Sequence, residues 1–77
     1  MLERHSLKHE FPQFEEKIIA LKSSDAHFRK LFDEYDELDH HIYRIENETE
    51  PTTDEVLTAL QVKRVHLKDE LYKYLIN

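Results

Sequence analysis

The chain has 77 residues and a formal net charge of −6, from seventeen acidic and eleven basic residues, and it contains neither glycine nor cysteine. Excess negative charge repels nucleic acid and anionic lipid, and the lack of cysteine excludes disulfides, thiol nucleophiles and cysteine-based zinc sites. Charged residues at 36% beside apolar residues at 39% favour amphipathic helices over disorder.

This length predicts a single domain, residues 1–77, with a core close to the smallest that stabilises a fold. The first residues contain no apolar signal region, and no run approaches the roughly 18 apolar residues of a membrane span. We therefore expect a cytoplasmic protein that binds no membrane.

The first predicted helix runs from about Pro12 to Lys22, because proline suits the first turn of a helix. Its apolar stripe has helical spacing and is formed by Phe11, Phe14, Ile18, Ile19 and Leu21. The tract Ser23-Ser24-Asp25 should end this helix and cap the next one through a side-chain oxygen.

The second predicted helix, about Ala26 to Glu48, has the most regular pattern in the chain. Six apolar or aromatic residues fill alternating a and d positions of three heptads: Phe28, Leu31, Tyr35, Leu38, Ile42 and Ile45. This strict 3-4 spacing is typical of a coiled-coil seam.

The third predicted helix runs from about Thr53 to Leu75 and continues the seam. Pro51 disfavours helix at Glu50, and Thr52 with Glu55 has the pattern of a capping box. Its seam positions are Leu57, Leu60, Arg64, Leu67, Leu71 and Tyr74.

The short link from Thr49 to Thr53 predicts that the two long helices lie antiparallel. The expected layers are Ile45–Leu57, Ile42–Leu60, Leu38–Arg64, Tyr35–Leu67, Leu31–Leu71 and Phe28–Tyr74. Sliding one helix by a heptad would pair Asp39 with Lys68 but would expose Phe28. Burial of Phe28 contributes about 1.5–3 kcal/mol, whereas a surface ion pair contributes at most about 1 kcal/mol, so the first register is favoured. The predicted fold is all-α: an antiparallel two-helix coiled-coil hairpin with a short additional N-terminal helix.

Two stretches of sequence carry a family resemblance: SDAHFRKLFDEYDELDHHIYRIE, from Ser24 to Glu46, and VKRVHLKDELYKYL, from Val62 to Leu75. Together they resemble the YdcH-like family of small bacterial proteins. The matching residues are Phe28, Leu31, Phe32, Asp33, Leu38, Asp39, Ile42, Arg44, Glu46, Lys63, Arg64, Leu67, Lys68, Asp69 and Glu70. The resemblance implies a helical hairpin in the bacterial cytosol with unknown molecular function, and it implies no catalytic or binding residue.

Glu37 and His40 have the Glu-x-x-His spacing by which di-iron bundles hold metal. In the heptad frame both residues point away from the seam, and the third helix has no second such motif. We therefore predict no cofactor. Weak surface chelation through Asp36 and His40, or through His5 and His9, is the alternative function.

An enzyme is not expected. No serine or threonine has an evident histidine and carboxylate arrangement, and there is no glycine-rich phosphate loop. The small core also leaves little room for a concave site.

Arg64 is the one charged residue in the predicted seam. We interpret it as a register-setting residue whose stem packs while its guanidinium reaches a carboxylate such as Glu34 or Asp39. Contact with an acidic partner is the alternative. Replacing Arg64 with leucine would raise stability if Arg64 only sets the register, whereas a marked loss would reveal an essential ion pair.

A second apolar stripe lies on the third helix opposite the seam and is interrupted only by Asp69. It consists of Val62, Val65, Tyr72 and Ile76. Two compatible interpretations stay open: the first helix covers part of it with Phe14, Ile18 and Leu21, or a second chain binds it. The link at residues 23–25 places the first helix near the Phe28 end, which leaves Val62 and Val65 for another chain.

The sequence thus predicts a small helical module that self-associates or binds a partner helix, with unknown molecular role. The expected partner is a protein, most simply a second copy of the chain in a homodimer centred on Val62, Val65 and Tyr72.

Overall fold

A computed structural model describes residues 5–47 and 51–77, and the regular structure in those two ranges is entirely helical. The elements in chain order are α1 (Leu7–Glu10), a 3-10 turn (Pro12–Phe14), α2 (Glu15–Ser24), α3 (Ala26–Glu46) and α4 (Asp54–Ile76). The two long helices pack against each other, and α2 packs against α3. The predicted all-α hairpin with additional N-terminal helical structure is confirmed.

Contacts at both ends of the hairpin show that α3 and α4 run antiparallel. The ring of Phe28, at the start of α3, lies edge-on to Tyr74, near the end of α4, with centroids 5.5 Å apart. At the opposite end the side chain of Gln61 donates to the Glu46 carboxylate at 3.5 Å. The Phe28–Tyr74 layer expected from the heptads is therefore present.

The core follows the heptad pattern of α3. Its buried apolar side chains are Leu7, Ile18, Phe28, Leu31, Tyr35, Leu38, Ile42, Leu67, Leu71 and Leu75, with Ile45 buried beside them. Leu57 and Leu60 in the first half of α4 are only partly buried. The core is thus densest where α4 approaches its C-terminal end and where the N-terminal elements join it.

Helix caps decide where the long helices begin. The carboxylate of Asp25 accepts a hydrogen bond from the Phe28 N–H at 3.0 Å, as the sequence predicted. The cap of α4 is Thr53, whose hydroxyl accepts from the Val56 N–H at 3.2 Å, so the predicted Thr52 cap was wrong by one residue. The predicted helix end at Glu48 and the start of the turn lie outside the described residues.

The N-terminal elements differ most from expectation. α2 begins at Glu15 because Pro12 starts a 3-10 turn instead of the helix itself. Within the predicted stripe, Ile18 is buried, but Ile19 is 59% exposed and does not widen it as expected. The short helix α1, which the sequence did not predict, places Leu7 in the core with only 1% of its surface exposed.

Candidate interaction surface

The outer face of α4, defined as Val62, Val65, Tyr72 and Ile76, has four of the exposed large apolar side chains of the described residues. Val62 and Val65 are 50% and 51% exposed, and Ile76 is 56% exposed. Their spacing places them on one side of the helix, away from the seam residues Leu67 and Leu71. Exposed apolar side chains that share one side of a helix favour contact with another molecule.

The N-terminal elements cover one part of this face. The ring of Phe11 stacks on Tyr72 with centroids 5.2 Å apart and an interplanar angle of 24°, and Phe14 lies at 6.4 Å from the same ring. The Lys68 ammonium lies 5.9 Å from the centre of the Phe11 ring. The partial covering expected from the sequence is thus made by Phe11 and Phe14 at Tyr72, and it leaves Val62 and Val65 exposed.

Arg64 and Asp39 form a buried ion pair between the two long helices. The guanidinium donates from Nη1 to Asp39 Oδ1 at 3.1 Å, and the carboxylate is fully buried while the Arg64 side chain is largely so. The sequence placed Arg64 within reach of such a carboxylate, and the contact with Asp39 confirms that placement. Its use as a register-setting residue stays a prediction.

The same carboxylate holds the N-terminal residues on the hairpin. The backbone N–H of His5 donates to Asp39 Oδ1 at 3.2 Å, and its carbonyl accepts from the Tyr35 hydroxyl one helical turn away. Both polar groups of one backbone residue are therefore satisfied by α3. We call this pair of side chains the Tyr35–Asp39 site.

Sequence reasoning did not find the Tyr35–Asp39 site. Tyr35 occupies a heptad a position and Asp39 a flanking e position, so each side chain has an ordinary explanation. One local signal was available: Ser6 caps α1 by accepting from the His9 N–H at 3.2 Å. A cap before a four-residue helix is too weak a pattern to predict that Leu7 is buried.

Ion pairs on the surface add to the attachment of α1. The carboxylate of Glu10 lies 3.1 Å from His5 Nδ1 and 3.5 Å from Lys68 Nζ, while Lys8 pairs with Glu15 at 2.9 Å. Exposed pairs of this kind contribute about 0–1 kcal/mol each. The buried contacts of Leu7 and His5 therefore dominate the attachment.

The surface histidines do not assemble a metal centre in the part of the chain that is described. His40 Nε2 lies 3.6 Å from Asp36 Oδ2, which is the pair that the sequence offered as a weak chelate. Across residues 5–47 and 51–77, no group of three or more histidine, aspartate or glutamate side chains is arranged to hold a metal ion. Glu37 faces an open groove of about 340 Å³ between α3 and α4, with His41 and Lys63 among its other lining residues.

No helix in the described ranges combines the length and the apolar character that crossing a membrane requires. That finding concerns helices alone.

Comparison with known proteins gives the chain a family. The family described as "Protein of unknown function (DUF465)" matches residues 28–75, which are most of α3 and α4. The chain is 32% identical over 65 residues to the uncharacterized protein YdcH of Escherichia coli strain K12, a match that covers 84% of this chain and 88% of that protein. The YdcH protein of Shigella flexneri gives the same figures. No solved structure matches. The resemblance seen in the sequence is confirmed: the chain belongs to the DUF465 family and is a relative of the YdcH proteins, for which no molecular function is stated.

Proposed function

We propose that the chain is a small helical interaction module that self-associates through the outer face of α4. The observation that supports this is the exposure of Val62 and Val65, which are neighbours near the middle of α4. Among the described residues, Phe11 and Phe14 of the N-terminal elements contact this face at Tyr72. In a chain with so small a core, burying these two side chains in a dimer gains hydrophobic free energy that the monomer does not obtain.

Charge and shape favour an antiparallel pairing of two α4 helices about a two-fold axis between Val62 and Val65. In this register Val62 packs against Val65 of the second copy, and Asp69 faces Thr58, whose hydroxyl is a suitable donor. A parallel pairing would place the two Asp69 carboxylates opposite each other. A shift by one heptad would place Asp69 against Val65. Both alternatives leave a charge poorly matched, so the valine-centred register is preferred.

Replacing both Val62 and Val65 with glutamate should convert the protein to a monomer, because in the proposed register each new carboxylate faces a carboxylate of the second copy at the centre of the interface. Helicity should stay close to that of the wild type, since both side chains lie outside the hairpin core. Sedimentation at concentrations from low to high micromolar measures the mass, and circular dichroism measures the helix content.

A matched control is Val56→Glu, because Val56 is 47% exposed on the same helix but lies off the outer face. This variant should associate as the wild type does. A wild type that is monomeric at high micromolar concentration would overturn self-association. A dimer that survives both charged substitutions in protein that has not been unfolded and refolded at high concentration would overturn the proposed face.

A further inference from the structure

The N-terminal segment, residues 5–24, is joined to the hairpin by one non-helical residue. α2 ends at Ser24 and α3 begins at Ala26, with Asp25 between them in an extended conformation at φ −127° and ψ 107°. This single bend turns α2 back onto the hairpin. The direction of the whole segment therefore depends on the backbone angles of Asp25.

The local sequence permits a straight helix at this bend. The tract Ser23-Ser24-Asp25-Ala26 contains neither glycine nor proline, so nothing in its covalent structure interrupts α2 and α3. The interaction that favours the bend is the cap, in which the Asp25 carboxylate accepts from the Phe28 N–H at 3.0 Å. Loss of that cap removes the main local preference for the bent form.

A straightened helix would carry the N-terminal segment away from its own hairpin. From Glu15 to Glu46 such a helix would be about 48 Å long at 1.5 Å per residue, whereas the longest dimension of the molecule is 37 Å. Leu7 would be exposed, and the Tyr35–Asp39 site would lose the backbone of His5. The N-terminal segment of another chain would restore both contacts.

We propose that the Tyr35–Asp39 site binds the N-terminal segment of a second copy, giving a dimer in which two chains exchange these segments across continuous α2–α3 helices. The site binds the N–H and the carbonyl of His5, and the neighbouring core buries Leu7. A second copy has the same residues and can make the same contacts. The aromatic stack of Phe11 on Tyr72 would form between chains in the same way. The exchanged dimer keeps the native contacts and changes the hinge, which is the usual condition for domain swapping.

This dimer does not use Val62 or Val65, so substitutions at those two residues separate the two associations. The test is made in full-length chains that carry Val62→Glu and Val65→Glu, so that pairing through α4 is already removed. Each variant is refolded at high micromolar concentration, because exchange requires the segments to open. Size-exclusion chromatography with light scattering then measures the mass.

Two substitutions of Asp25 form a matched pair. Asp25→Ala and Asp25→Gly both remove the capping carboxylate, but alanine favours a continuous helix and glycine disfavours it. We expect a doubled mass for Asp25→Ala and a monomer for Asp25→Gly. Equal masses for the two variants would overturn the proposal, because the continuous helix would then have no part in the association.

A third variant blocks the continuous helix directly. Ala26→Pro is compatible with the bent form, since Ala26 is the first residue of α3 and the extended Asp25 has the conformation that precedes proline. Inside a continuous helix the same proline would remove a hydrogen bond and clash with the preceding turn. Adding Ala26→Pro to Asp25→Ala should therefore restore the monomer with its helicity retained. A dimer that persists with this proline would overturn the exchange.

Discussion

Replacing Arg64 with leucine is expected to lower the free energy of unfolding by about 3–5 kcal/mol, because it leaves a buried carboxylate without its cation. Asp39 is fully buried and accepts from Arg64 at 3.1 Å. From the sequence, a gain was expected if Arg64 only sets the register, and a marked loss if it forms an essential ion pair. The burial of Asp39 favours the second outcome. Urea unfolding followed by circular dichroism measures the change.

The control for this substitution is Arg29→Leu. Arg29 pairs with Asp33 at 3.2 Å in the same chain, but both side chains are more than half exposed, so the loss should be no more than about 1 kcal/mol. A second comparison is the double variant Asp39→Leu/Arg64→Leu, which removes both charges and should recover part of the loss. An Arg64→Leu protein as stable as the wild type would show that the Asp39 carboxylate reaches water or another cation.

Replacing Leu7 with alanine is expected to lower the free energy of unfolding by about 2–5 kcal/mol, the range for removing a buried leucine side chain. Leu7 is 1% exposed and belongs to the hydrophobic core, although it lies in a helix of four residues. The same urea titration measures the loss. Hydrogen exchange should also show faster exchange in α1 than in the wild type, because the segment opens more often.

Ile19→Ala is the matched control for Leu7→Ala, since it removes an aliphatic side chain from the same N-terminal segment at a site that is 59% exposed. Its effect should be within about 0.5 kcal/mol. A loss below about 1 kcal/mol for Leu7→Ala would show that the hydrogen bonds of His5 and the Phe11–Tyr72 stack hold the segment without it.

The long helices could be predicted because their seam repeats over many residues. Six heptad positions of α3 are buried as expected, and the Phe28–Tyr74 layer fixes the pairing of the helices. A repeated pattern averages out local exceptions, so one charged residue, Arg64, did not obscure it. Helix ends depend on single residues. The predicted cap of α3 by Asp25 was correct, whereas the cap of α4 was predicted at Thr52 and lies at Thr53.

The N-terminal contacts could not be predicted because none of them repeats. Leu7 is a single apolar residue among polar neighbours, and a four-residue helix has no period to detect. Asp39 occupies a position that is usually solvated, and its burial depends on Arg64 and on the backbone of His5. Such contacts exist only after the chain has folded back on itself. For the outer face of α4, the sequence identified the residues and the end that the N-terminal segment covers, but it did not indicate that Phe11 would stack on Tyr72.

The hydrogen bonds at the Tyr35–Asp39 site involve the main chain of residue 5 and not its imidazole. Evolution can therefore alter the side chain at position 5 with little effect on this attachment, apart from proline, which has no N–H to donate. Among relatives, we expect the identity of residue 5 to drift while the docking geometry persists. Sequence alignment compares side chains, so it gives little weight to a contact of this kind. Homologous N-terminal arms are better compared by superposing backbones than by counting identities.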